Sequence, residues 1–104
     1  MPNDTPITFA EWQARYADLR TRAERLNRAI TDRARKTARE AGLDPSIAFL
    51  HAHNAMCSKD SHPWTGVNYR LVRKVLYLER LSWEPNRIVS RVSDRLWRRV
   101  QFPR

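Results

Sequence analysis

All three histidines of the chain and its single cysteine fall within twelve residues, "HAHNAMCSKDSH", from His51 to His62. Imidazole and thiolate are preferred zinc ligands, and on a helix His53 and Cys57 stand four apart on the same side. His62 would return from the following loop as a third ligand, with Asp60 as a fourth. His51 points about 200° away from His53 and cannot join them while the helix continues. Structural zinc sites of this form usually bring further cysteines in C-x-x-C pairs, and this chain has only Cys57. His53, Cys57 and His62 are therefore metal candidates and not an assigned site. Cys57 with His53 or His62 also has the composition of a nucleophile pair. Such a pair needs an oxyanion hole and a cleft, of which a chain with two glycines shows little sign. The expectation is no enzyme, no cofactor and no resident metal.

Just upstream, "AGLDPSIAFLH" (Ala41 to His51) resembles a segment of the CRISPR adaptation integrases, where a Gly-Leu-Asp-Pro turn leads into a helix ending Phe-Leu-His. In that family the histidine is a metal-binding catalytic residue, and it maps to His51. The resemblance covers eleven of 104 residues, and Ala48 stands where the family usually has glycine. The acidic residues that should follow are missing apart from an out-of-place Asp60, and no partner glutamate site is recognisable upstream. The resemblance is read as a shared capped turn, and catalysis is not carried over.

The elements that hold this cluster are helices. Thr8-Phe9-Ala10-Glu11 has the capping-box pattern. After it Phe9, Trp12, Tyr16, Leu19, Ala23, Leu26 and Ile30 recur at alternating spacings of three and four, a heptad stripe that breaks at Arg33. Gly42 supplies a left-handed C-cap, so the pattern predicts a helix over 9–41, roughly 50 Å long. Asp44 and Pro45 start a second helix to about Cys57, with Ile47, Leu50, Phe49 and Ala55 inside. "SKDSHPWTG" is a loop. A third helix over 67–81 buries Val67, Leu71, Val75 and Leu78. Pro85 opens a fourth, over 85–100, with Ile88, Val92, Leu96 and Val100 as its stripe. The expected fold is all-α, a small single-domain helical bundle in which the long helix is packed by three shorter ones after a flexible 1–8. The aromatic stripe with Ala23 fits an intramolecular bundle better than a dimeric zipper, leaving monomer or homodimer.

Charge carries the functional expectation. Twenty basic residues against eleven acidic ones give +9, which suggests an anionic partner. Seventeen of the twenty are arginine, whose planar fork suits phosphate oxygens and stacking on bases. On the first helix Glu11–Arg15, Asp18–Arg22, Glu24–Arg28 and Asp32–Lys36 are acid-before-base pairs four apart, which would neutralise much of that surface. From Val67 onward ten basic residues face only Glu79, Glu84 and Asp94. Arg70, Arg73, Tyr77 and Arg80, with Tyr69, share the arc opposite the third stripe. Arg87, Arg91, Arg95 and Arg98 share about a quarter turn of the fourth helix, with Trp97 and Arg99 beside them. Tyr69, Tyr77 and Trp97 are candidate platforms for unpaired bases. Ala38 and Gly42 have the spacing of a helix-turn-helix. The following helix, however, carries no arginine or lysine with which to read base edges.

The leading expectation is a small basic accessory protein that grips the phosphate backbone of DNA or RNA without strong sequence preference, alone or as a small subunit of a nucleoprotein complex. The competing one is a helical adaptor or inhibitor that docks on an acidic protein surface. No apolar run reaches membrane-spanning length, the N-terminus lacks a signal-peptide plan, and the lone cysteine indicates no oxidising compartment, so the expected location is cytoplasmic.

Overall fold

A computed structural model describes residues 5–102. The chain is all-α among these residues: α1 (Phe9–Ala41), a 3₁₀ turn (Pro45–Ile47), α2 (Ala48–Ser58) and α3 (Tyr69–Trp97). α1 and α3 run antiparallel as a long hairpin, and α2 lies against the half nearest their connection. The molecule measures 65 × 22 × 22 Å, with a radius of gyration of 19.7 Å against about 13 Å for a compact domain of this size. It is a rod.

The third and fourth expected helices are one. α3 passes through Pro85, which removes a donor to the Leu81 carbonyl yet sits buried in the seam. One seven-residue register explains the continuity: Val75, Ser82, Val89 and Leu96 alternate with Leu78, Pro85 and Val92, all buried or half-buried. That register corrects the expected stripe at Ile88, which is 49% exposed while Val89 is buried.

α1 follows a different period. Trp12, Ala23 and Ala34 repeat every eleven residues, as do Tyr16, Asn27 and Ala38, and Leu19, Ile30 and Ala41; all nine are buried or half-buried. Eleven residues in three turns is 3.67 per turn, closer to an undistorted helix than a heptad. This is why the heptad reading fails at Leu26, which is 52% exposed, and at Arg33.

The ends are held by caps. Thr8 Oγ1 accepts from the Glu11 amide at 3.0 Å. Gly42, at φ 87°, closes α1 with amide bonds back to its last carbonyls, and the Asn68 amide donates to the Ala41 carbonyl at 2.9 Å. Asn68 then caps α3 through its own side chain. At the other end Ile7 is buried. Its amide donates to the Arg99 carbonyl and its carbonyl accepts from Gln101, each at 3.0 Å. Of the N-terminal segment expected to be flexible, residues 1–4 lie outside the described residues.

α2 begins one turn later than Asp44-Pro45 suggests, because the 3₁₀ turn intervenes. Its buried face is Ala48, Ala52 and Ala55, at spacings of four and three, while Ile47 and Leu50 are 41% and 57% exposed. Small side chains let α2 approach Ala38, Ala41, Val72 and Val75 closely, and these residues form the main core.

Candidate nucleic-acid interface

Because α3 is continuous, the two expected groups of arginines become one. In its seven-residue register Arg70, Tyr77, Glu84, Arg91 and Arg98 form one row, and Arg73, Arg80, Arg87 and Asp94 form the adjacent row, about 50° away. Lys74 and Arg95 flank these on the next row. All eight cations are exposed. The two arginine rows face away from the seam, Lys74 and Arg95 lie at their edge in the row of Leu81 and Ile88, and Arg70 to Arg98 spans about 42 Å at 1.5 Å per residue.

Within this strip Arg87 donates to Glu84 at 3.1 Å. Among the described residues, no carboxylate lies within 4.0 Å of Arg70, Arg73, Lys74, Arg80, Arg91, Arg95 or Arg98. Arg98 caps the end of α3. Arg99 is half-buried and donates from Nε to the Thr5 carbonyl at 2.7 Å, so it is partly engaged in closing the terminus. Together Arg95, Arg98 and Arg99 line an open groove of about 520 Å³ with Pro6, Leu96 and Gln101.

The aromatics divide. Tyr77 is 58% exposed, within the strip. Tyr69 is half-buried: its hydroxyl accepts from the Trp64 amide at 2.8 Å, and Lys59 lies 5.6 Å from its ring centroid. It serves the loop and offers no free platform. Trp97 is 44% exposed but lies edge-on to Trp12, Phe9 and Phe102 at 4.9–6.1 Å. Phe9, Trp12 and Tyr16 stack in series along α1, and Arg20 lies over Tyr16. Sequence reading missed this cluster because Phe102 reaches it from beyond the last helix.

On α1, one of the four expected ion pairs forms, Asp18–Arg22 at 3.2 Å, and Glu24 pairs with Arg20 at 3.6 Å in place of Arg28. Exposed pairs are worth a few tenths of a kcal/mol, so such geometry is weakly determined. More of α1 is left cationic than the sequence suggested.

The histidine cluster is taken apart by the fold. His53 Nε2 lies 2.6 Å from Glu79 Oε2, pinning α2 to α3. His51 Nδ1 accepts from the Asp44 amide at 3.2 Å and packs edge-on to Trp64 at 5.2 Å, so it secures the turn. Asp44 accepts from the Ser46 hydroxyl and amide, which hold its carboxyl below the usual range. Cys57 and His62 are exposed. Among the described residues, no three His, Cys, Asp or Glu side chains come together as a metal-holding group. Among the same residues, no helix is long and apolar enough to cross a membrane.

No protein-family model matches the chain, and neither a curated protein nor a solved structure matches it.

Proposed function

We propose that the protein binds the phosphate backbone of nucleic acid along the outer face of α3. The observation that supports this most is a single continuous helix carrying Arg70, Arg73, Arg80, Arg91 and Arg95, with Arg98 at its C-cap, on one arc about 42 Å long, without carboxylate partners among the described residues. Guanidinium forks reach phosphate oxygens in pairs, and each neutralised phosphate releases a counterion. Contacts of this kind position a strand without reading its sequence. Tyr77, exposed about a quarter of the way along the strip, is placed to stack on an unpaired base, with Arg87 and Arg99 as secondary contacts. A rod with one basic edge suits a small subunit lying along a strand in a larger nucleoprotein complex.

Fluorescence anisotropy with labelled single- and double-stranded oligonucleotides of unrelated sequence tests this. The variant R73A/R80A/R91A/R98A should lose at least about 100-fold in affinity, at roughly 1 kcal/mol per phosphate contact. Unchanged binding by that variant, with the fold intact by circular dichroism, excludes this face.

A further inference from the structure

The hairpin has two flanks, and α2 covers only one. α2 packs over the side of the seam that carries Ala34 and Ala38 on α1 and Glu79 on α3. At about 100° per residue Leu19 and Leu26 fall on the other side of α1, and Leu81 and Ile88 on the other side of α3. The antiparallel register brings them together: Trp12 Nε1 donates to the Ser93 carbonyl, and Ala41 faces Asn68. Leu26 therefore lies beside Leu81, and Leu19 beside Ile88. Leu26 and Ile88 are 52% and 49% exposed, so this flank is an uncovered apolar strip along the middle of the rod.

Cations bracket the strip. On α3, Lys74, Leu81, Ile88 and Arg95 follow one another every seven residues, a row apolar in the middle and basic at both ends, about 32 Å long. On α1, Arg15 and Arg33 fall within about 20° of Leu26 on the wheel and stand on either side of it. None of these four cations has a carboxylate within 4.0 Å among the described residues.

We infer that this flank is a docking groove for an amphipathic helix of a partner protein. That helix would carry about two turns of aliphatic residues with Asp or Glu in the turns before and after. Charge complementarity selects this occupant. A second copy would set its own basic brackets against these, and a nucleic-acid strand offers no aliphatic stripe to cover Leu26 and Ile88. The groove borders the arginine rows of α3 and shares Lys74 and Arg95 with their edge, but Leu26, Ile88, Arg15 and Arg33 lie outside those rows, so either reading can fail alone.

The test uses the full chain and labelled synthetic 20-residue peptides with a leucine stripe, ending in glutamates or in lysines. The glutamate peptide should bind at least about tenfold more tightly than the lysine peptide, and L26D and I88D should each weaken it about tenfold. Both residues are half-exposed, so the helical circular dichroism should persist. R28A, on the far side of α1, should leave binding within about twofold. The charge reversal R33E/R95E should invert the preference between the peptides, which loss of structure does not mimic. Equal binding of both peptides, binding of neither, or a homodimer in sedimentation equilibrium that L26D dissolves overturns the inference. So does loss of oligonucleotide binding in L26D and I88D with the peptide preference unchanged.

Discussion

A Cβ placed on Gly42 would stand 2.9 Å from the carbonyl oxygen of Gly66, so the end of α1 and the loop that returns the chain to α3 leave no room for a side chain there. Both glycines have positive φ, 87° and 75°, but a Cβ on Gly66 meets nothing within 4 Å. Gly42→Ala should therefore cost about 2 kcal/mol or more, from left-handed strain plus displacement of the loop, and Gly66→Ala only the strain, about 1 kcal/mol. Urea midpoints of the two variants measure the difference. Equal midpoints contradict the contact.

His53 and Glu79 join α2 to α3 at 2.6 Å, with His53 mostly exposed. Glu79 is only 18% exposed, so His53→Ala, which leaves that carboxylate half-buried and unpaired, should destabilise by about 1 kcal/mol, more than loss of a fully exposed pair would. The same pairing engages the imidazole that a zinc site would need. Zinc at about 100 µM should leave the melting temperature unchanged, whereas a bound ion would raise it in proportion to RT ln(1 + [L]/Kd).

How much of this was legible in the sequence follows from the period of each helix. Thr8, Gly42 and Asp44 announced the caps correctly, because capping depends on local geometry alone. The buried face of α1 was misread at Leu26, because three- and four-residue spacings fit a heptad until Asn27 and Ala34 show the eleven-residue repeat. Pro85 read as a helix start, since nothing local reveals that the seam against α1 carries the helix through it. The arginine rows were visible in halves. Only that continuity aligns them. The uncovered flank was not visible, because its members Leu26 and Ile88 read as core residues until their partners are known.

Asp44 gives a pH signature. Its hydrogen bonds with Ser46 lower its pKa in the folded state. A group with a depressed folded pKa contributes stability that is present above its unfolded value, near 3.9, and is lost as pH falls through the folded one. Asp44→Ala should melt below the wild type at pH 7, and the gap should narrow as pH falls below the unfolded value and through the lowered folded one. Asp44→Asn, which still caps, should lose less. A gap independent of pH contradicts the role of the carboxylate.

Continuity of α3 is directly measurable. With Cys57 replaced by serine, spin labels at positions 70 and 90 straddle Pro85 and should lie about 30 Å apart in a single narrow distribution, at 1.5 Å per residue. A broad or markedly shorter distribution would mean two jointed helices and a divided arginine strip.

The most direct measurement for the account as a whole is oligonucleotide affinity against salt. If the outer face of α3 engages about six phosphates, log Kobs against log salt concentration should fall with a slope of about −4 to −5, and R73A/R80A/R91A/R98A should flatten it by about three. A slope near zero, or no binding to any oligonucleotide at low salt, contradicts the account.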